Sequence, residues 1–573
     1  MQAEIAKKAQ QWLSEEFDAD TRQQVQDLIN NDPGGLEDAF YKDLEFGTGG
    51  LRGIMGVGTN RINIYTIGKA TQGLANYVKN SYSSSTHLKA AIAFDSRNNS
   101  PLFARRTAEV LAANGFTVYL FDELRPTPEL SFAVRHLECH CGIVITASHN
   151  PKEYNGYKVY WNDGAQLVSP HDQNVIAEVQ KIDTNAAVLT NFEPDNIKII
   201  GAELDAAYLA SIESIVLGSE HAGEVSIVFT SIHGTGIQSV PPALKQLGFS
   251  KTTIVEAQQK PDGNFPTVIS PNPEEAAALA LALEKAEEIG ADLVMGTDPD
   301  ADRVGIAVRN LKGELVLLNG NQIGSLIVYY MLHQSKAKNR LKGNEFVAKT
   351  IVTSDLIQDI ATSFDVPCHS TLTGFKYIAG LIRELEGKAQ FIAGGEESYG
   401  YLIGDAVRDK DAVISSVVIA EIAAWAKGEN SSFFEKMLDL YLKYGFYKEH
   451  LISITKKGKA GAELIQRMMT GFRSEPPSQL GGRKVVQISD YQAGFTKDIA
   501  TGQNSPIDLP ASNVLQFLLE GGSKVTARPS GTEPKIKFYI SVKGILDSIE
   551  NYEQVAAELD EQIAAISKDL QGA

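Results

Sequence analysis

The sequence predicts an α/β protein of several domains, three of them built alike around mixed or largely parallel sheets, followed by a smaller C-terminal α+β domain. Three observations lead there. The chain has 573 residues, too many for a single core, which sets an expectation of about three to five domains. A strand–polar turn–helix–strand pattern recurs, as KAAIAFDSRNNSPLFARRTAEVLAANGFTVYLFD at 89–122, as EVSIVFTSIHGTGIQSVPPALKQLGFSKTTIVE at 224–256, and more loosely as AKTIVTSDLIQDIATSFDVPCHSTL at 348–372. Short apolar strands separated by helices argue for parallel, covered sheets. Towards the C-terminus the pattern changes to a helix, a polar stretch, strands such as KVTARPSGTEPKIKFYISV, and a last helix from about 548.

Taken in order, the elements divide at 205, 317 and 437, giving domains over 1–205, 206–317, 318–437 and 438–573. Residues 3–30 read as two helices, the second capped by Asp20 or Thr21. A glycine-dense loop, EFGTGGLRGIMGVGTNRIN, follows from Glu45 to Asn63 and carries Arg52 and Arg61. Hydrophobic content of 43% and charged content of 22% are ordinary for a soluble globular protein. The formal net charge of −18 argues against a nucleic-acid or anionic-membrane surface. Three cysteines supply no disulfide framework, which fits a reducing compartment. Cys139-His140-Cys141 has no second Cys/His pair nearby and reads as a strand edge rather than a metal cluster. The N-terminus lacks an apolar leader and no run of 18 apolar residues occurs, so a cytoplasmic protein without membrane partners is expected.

Four loops carry chemistry. In ITASHNPKEYNGYKVY (145–160) Ser148 sits where the apolar strand CGIVIT ends, the edge of an α/β sheet where ligands gather. A hydrolase elbow would read G-x-S-x-G, and along an extended chain His149 would point away from its neighbour. On this stretch alone a turn serine is as good a reading as a catalytic one. In GTDPDADRVG (296–305), Asp298, Asp300 and Asp302 alternate so that three carboxylates can meet on one hard cation. The sixth and twelfth positions from Asp298 hold Arg303 and Arg309, which excludes an EF-hand. Arg303 suits a phosphoryl group bound at the same place. Taken alone, the stretch also reads as a solvated acidic turn. In GGEESYGYLIGDAVRDKDA (394–412), Glu396 and Ser398 lie on a glycine-bounded loop that suits sugar hydroxyls or a plain surface turn. In ARPSGTEPK (527–535), Arg528, Ser530, Gly531 and Thr532 are an inventory for gripping a phosphate dianion.

In the order GTGGLRG, TASHNP, GTDPDADR, GEESYG and RPSGTEP, spanning 47–534, these segments resemble the α-D-phosphohexomutases, the phosphoglucomutase/phosphomannomutase family. The long N-terminal helices, TLTGFKYI at 371–378 and GEESYGYL look most like the phosphoglucomutase branch that includes phosphopentomutases. The resemblance implies four domains around a central cleft, the last of the TATA-binding-protein-like type. It implies Ser148 as a phosphoserine, with Asp298, Asp300 and Asp302 holding one Mg²⁺ against it. Glu396 and Ser398 would bind sugar hydroxyls, Thr373 and Gly374 would read the sugar, and Arg528, Ser530, Gly531 and Thr532 would hold the phosphate that is not transferred.

The implied reaction interconverts glucose 1-phosphate and glucose 6-phosphate through glucose 1,6-bisphosphate, with phosphomannomutase or phosphopentomutase activity as the alternatives. A catalytically silent sugar-phosphate-binding protein is the remote one. Lys158, ten residues after Ser148, matches the family's catalytic lysine; among Arg52, Arg303 and the metal its pKa is expected to fall. His149 is a secondary candidate, for polarising the phosphoserine. Some phosphomannomutase-type members carry a histidine four residues after the sugar-binding glutamate, where this chain has Gly400. That work falls to Lys410 or is not needed, and the difference weakens the phosphomannomutase reading. Sugar phosphates are the expected partners, and the chain would act as a monomer or homodimer.

Overall fold

The three recurring segments fold as the same unit. In the structure, a computed structural model that describes residues 2–47, 50–85, 87–456, 458–530 and 534–571, each is a strand, a helix and a second strand parallel to the first. The first copy is β2 (Leu88–Phe94), the helix Ser100–Ala113 and β3 (Phe116–Phe121). The second is β7 (Ile227–Thr230), the helix Gly236–Gln246 and β8 (Thr252–Ile254). The third is β12 (Glu345–Thr350), the helix Leu356–Ser363 and β13 (Cys368–Thr371).

Each copy then adds another strand on the far side of its first: β4 (Cys141–Ile145), β9 (Leu293–Thr297) and β14 (Gln390–Gly395). With β1 (Gly50–Ile54), β5 (Tyr154–Trp161) and β6 (Ile197–Ile200), the first sheet runs β1-β5-β4-β2-β3-β6. With β10 (Val304–Arg309) and β11 (Leu315–Leu318), the second runs β11-β10-β9-β7-β8. The third contains the order β13-β12-β14. The sheets are mixed because β5 and β10 return antiparallel to β4 and β9. All five residues of β4 and of β9 are buried, as expected for strands covered on both faces. After β15 (Tyr401–Ile403) comes a C-terminal antiparallel sheet. It is made from β16 (Phe446–Thr455), β17 (Gln479–Leu480), β18 (Arg483–Asp490), β19 (Phe495–Asp498), β20 (Asn504–Pro506), β21 (Leu515–Leu519), β22 (Lys524–Pro529) and β23 (Lys535–Gly544), in the order β16-β23-β22-β21-β18-β19-β20, with β17 on β18.

The chain packs as two compact units, one of Met1–Asn319, Ala379–Phe391 and Ser398–Asn430, the other of Gly320–Ile378, Ile392–Glu397 and Ser431–Ala573. In the first, the core under the six-stranded sheet is formed by residues such as Ile92, Leu111, Ile143 and Val159, none of them exposed. The N-terminal helices Gln2–Gln11 and Ala19–Asn31 are present, but the second is capped by Asp18, which accepts the Thr21 amide, rather than by Asp20 or Thr21. Asp18 wins because its carboxylate also takes the Thr21 hydroxyl at 2.8 Å. A third helix, Pro33–Phe40, starts on the Asp32 cap with proline in its first turn. Among the described residues no helix is long and apolar enough to cross a membrane.

Candidate active site

The serine loop and the three-aspartate loop leave equivalent strands, β4 and β9, and meet. Past the end of β4, Ser148 adopts φ 52°, a left-handed conformation unusual for a residue with a side chain. Its N–H donates to Thr146 Oγ1 at 2.8 Å and its Oγ donates to Asp298 Oδ2 at 2.7 Å. Because the chain is turned rather than extended here, His149 does not point away: its Nδ1 lies 3.2 Å from Ser148 Oγ, correcting the sequence expectation. Burial, with Arg303 and Arg52 adding to it, pushes the His149 pKa down to about 3. The ring is therefore neutral near pH 7 and serves as a hydrogen-bond partner, not a strong base.

After β9 the chain turns through Ala301, at φ 50°, and brings Asp298, Asp300 and Asp302 together with ligand oxygens within 4.8 Å of one another. Asp298 Oδ1 accepts the amides of Asp302 and Arg303, both at 3.1 Å. Lys158 Nζ on β5 donates to Asp300 Oδ2 at 2.7 Å and to Asp302 Oδ2 at 3.3 Å. Lys410 Nζ lies 3.0 Å from Asp302 Oδ2. Arg303 pairs with Glu274 at 2.6 Å and lies 3.8 Å from Asp302 Oδ1. Arg52, paired with Gly156 across β1 and β5, donates to the Asn150 side chain at 3.2 Å.

The electrostatics call for another positive charge. Burial and the carboxylates of Asp300 and Asp302 push Asp298 well above the usual carboxylate range. Asp300 and Asp302 are just as buried, yet Lys158 holds the first below it, and Lys410 with Lys158 the second. Asp300 Oδ1 and Asp302 Oδ1 are buried without a hydrogen-bond partner. Three converging carboxylates, two orphaned oxygens and one disfavoured charge fit a divalent cation. Lys158 faces the carboxylate cluster. Burial lowers its pKa, but Asp300 and Asp302 outweigh that and hold the ammonium above its ordinary value. Its partners within bonding reach are these two carboxylates.

Gly400 explains the neighbouring Lys410. A Cβ at position 400 would lie 2.2 Å from Lys410 Cδ, so the lysine stem occupies the space that a side chain there would fill. Ser398 belongs to the same compact unit; next to it, the Tyr399 carbonyl accepts the Val304 amide at 3.2 Å.

Glu396, Thr373, Gly374, Arg528 and Ser530 lie in the other unit. There Glu396 Oε1 accepts the Gly374 amide at 3.0 Å, tying two of the expected sugar loops together. Arg528 Nη1 donates to the Tyr539 hydroxyl at 3.4 Å, and the Ser530 amide donates to the Lys535 carbonyl at 2.7 Å. Gly531 and Thr532 lie outside the described residues.

Sequence reasoning passed over three supporting residues. Thr127 donates its amide to the Asp300 carbonyl at 2.8 Å and its hydroxyl to Asp300 Oδ2 at 2.9 Å. Thr235 sends its amide (2.8 Å) and its hydroxyl (2.9 Å) to the Pro299 carbonyl. Arg97 donates to the Pro151 carbonyl at 2.9 Å, inside the serine loop. Their signals were RPTP, HGTG and FDSRNNS, each a polar turn beside a strand or helix end.

Comparison with known proteins agrees with this geometry. The chain matches the phosphoglucomutase/phosphomannomutase family, its alpha/beta/alpha domain I over residues 43–186, domain II over 206–313 and domain III over 319–443. It is 38% identical over 544 residues to a phosphoglucomutase of Staphylococcus epidermidis, covering 94% of this chain and 97% of that one. The chain belongs to the phosphoglucomutase/phosphomannomutase family. A Staphylococcus aureus phosphoglucomutase is 40% identical over 510 residues, covering 88% of this chain and 91% of its own. The fold is shared with parafusin (phosphoglucomutase) of Paramecium in its open form, at a TM-score of 0.68 and 19% identity, covering 93% of this chain and 94% of that chain. A family protein of Burkholderia thailandensis matches at a TM-score of 0.64 and 17% identity, covering 91% and 97%. As a member of this family the chain is an isomerase of the mutase type.

Proposed function

We propose that the protein interconverts glucose 1-phosphate and glucose 6-phosphate through a phosphoserine enzyme and glucose 1,6-bisphosphate. The observation that carries this reading is Ser148 Oγ donating at 2.7 Å to the buried Asp298, inside a cluster of three carboxylates. Identity of 38–40% to curated phosphoglucomutases supports glucose over other sugars.

Asp298, Asp300, Asp302 and the oxygen on Ser148 would hold the Mg²⁺. When bound, the ion neutralises phosphoryl charge, which lets a serine oxygen act as both acceptor and leaving group. The chain's own residues handle the protons. In the first transfer the P–O bond to Ser148 breaks while a P–O bond to the free sugar hydroxyl forms. Lys158, held as an ammonium by Asp300 and Asp302, gives a proton to the departing serine oxygen and receives the one released by the sugar hydroxyl. The bisphosphate turns over, and the second transfer returns the other phosphoryl to Ser148 by the reverse proton path. His149 steadies the serine oxygen as a neutral partner, and Arg52, Arg303 and Lys410 supply positive charge. Both phosphates must be gripped in turn, so a second anion site is required; Arg528, Ser530, Gly531 and Thr532 are assigned to it, and Glu396, Ser398, Thr373 and Gly374 to the sugar.

Intact mass tests the first step: the protein should carry a sub-stoichiometric gain of one phosphoryl group, absent from Ser148→Ala. That variant should lose at least about 10⁴-fold in turnover, the scale of removing a catalytic nucleophile. Turnover of glucose 1-phosphate should need the 1,6-bisphosphate as primer and stop with EDTA. Release of inorganic phosphate without isomerisation would sink the mutase reading. A panel of glucose, mannose, glucosamine and pentose 1-phosphates decides the sugar.

A further inference from the structure

Arg97 takes no part in the chemistry above, yet it is buried beside the serine loop and bonded into it. Its side chain is fully buried, with Nε 3.3 Å from Asp95 Oδ2. Nη1 donates to the carbonyls of Pro151 at 2.9 Å and Tyr154 at 3.1 Å, and Nη2 donates to the carbonyls of Ser148 and Asn150. One guanidinium thus collects four main-chain oxygens from a single seven-residue stretch, 148–154. Asp95 is itself fixed, accepting the Arg97 amide at 3.0 Å and the Ser100 hydroxyl at 2.8 Å. The loop that follows β8 closes over the other side: the guanidinium lies 5.1 Å from the centre of the Phe265 ring. There a Cβ on Gly263 would fall 2.3 Å from the Asn98 nitrogen.

We propose that Arg97 is a positioning residue for phosphoryl transfer, holding the serine loop so that Ser148 keeps its left-handed backbone with Oγ on Asp298. A non-glycine residue in that conformation is strained and persists only where its surroundings overdetermine it. The Thr146 hydroxyl fixes the Ser148 amide, and Arg97 fixes the Ser148 carbonyl, so both peptide planes flanking the serine are set. Drawn onto a buried cation, the four carbonyl oxygens are also kept off the serine hydroxyl, where their negative ends would oppose an arriving phosphoryl group. A lysine keeps the charge but, as a point donor on a flexible stem, cannot reproduce the planar fork. This inference rests on the mutase reading.

The test compares Arg97→Lys, Arg97→Met and Phe265→Leu with the wild type, all checked for native circular dichroism. In Arg97→Lys, kcat should fall about 10²-fold, the scale expected for an ångström-sized misplacement of a reacting group. KM for glucose 1-phosphate should stay within a few-fold of wild type, the phosphoserine ³¹P resonance should move, and amides of 147–155 should exchange faster. Arg97→Met should do the same more severely. A variant with a lower unfolding midpoint but wild-type kcat per folded molecule and an unmoved ³¹P signal would show a purely structural ion pair and overturn the proposal. Should neither Arg97 variant fold, Phe265→Leu decides: a smaller loss in kcat alone supports the proposal, and an unchanged kcat overturns it. Loop exchange is read without turnover, so a wild type lacking mutase activity would defeat the functional reading separately from the placing of the loop.

Discussion

Gly400→Ala should cripple the enzyme through Lys410, ten residues along the chain. The added Cβ would sit 2.2 Å from Lys410 Cδ, 2.8 Å from Cγ and 3.3 Å from Cε. Carbon atoms rest about 3.5–4.0 Å apart, so the stem must withdraw by at least about 1.3 Å. Lys410 is 7% exposed and has little room to do so. Its Nζ stands 3.0 Å from Asp302 Oδ2, and a retreat of that size in line takes it to roughly 4.3 Å, past the range of an ion pair. Overpacking of this kind costs about 1–3 kcal/mol, and full loss of a buried charge partner about 3–5 kcal/mol. Turnover should fall about 10²-fold. The assay is a cycle of wild type, Gly400→Ala, Lys410→Ala and the double variant, with kcat and unfolding midpoint measured for each. With the lysine stem gone, the alanine methyl meets none of those atoms, so Gly400→Ala should cost almost nothing in the Lys410→Ala background. An equal loss in both backgrounds, or a fully active Gly400→Ala, would refute the reasoning.

Other outcomes follow from the same site and its surroundings. Asp298→Asn should weaken Mg²⁺ binding by at least about 10-fold by calorimetry, yet raise the unfolding midpoint of the metal-free protein, because it removes the carboxylate whose charge is disfavoured there. His149→Asn should leave the limbs of the pH–rate profile where they are, since the wild-type ring, with a pKa near 3, does not titrate between pH 5 and 8. Its cost in kcat should be no more than about tenfold, the worth of one hydrogen bond. Burial raises the pKa of Asp355, but the ammonium groups of Lys349 and Lys524 outweigh it and hold the carboxyl well below its ordinary value. The native state therefore gains stability above the unfolded carboxyl pKa of about 3.9 and loses it as pH falls below that. Asp355→Asn should flatten the acid limb of stability below about pH 4 and cost about 1 kcal/mol at pH 7, because the carboxylate shared by Lys349 and Lys524 is partly exposed and screened.

What the sequence disclosed and what it hid divide along physical lines. The repeat was visible because buried strands are written as apolar runs ending in polar turns, as CGIVIT and ADLVM are. The three aspartates were visible because their spacing alone lets them converge. The helix Pro33–Phe40 was not, since DPGGLEDAF reads as a turn until the Asp32 cap and the proline at the first turn are seen together. His149 was misjudged because an extended chain was assumed at a residue that is in fact left-handed. The carboxylate partners of Lys158 were hidden because the contacts, within 3.3 Å, cross from β5 to the aspartate loop. For Arg97 the polar turn FDSRNNS marked a loop but not a role, because its partners are main-chain carbonyls. The reciprocity of Gly400 and Lys410 is likewise a matter of volume rather than of chemistry.

The placing of the serine, aspartate and glutamate loops after β4, β9 and β14 has a consequence for how such a protein can change. One ancestral module, copied in tandem, would have offered three interchangeable docking points, each free to specialise while the strands beneath carried the mechanical load. In the proposed reaction, nucleophile, metal cage and sugar reader then become separate cassettes. Retuning the sugar should then call for rewriting the turns after β13 and β14, with the serine and aspartate loops left intact.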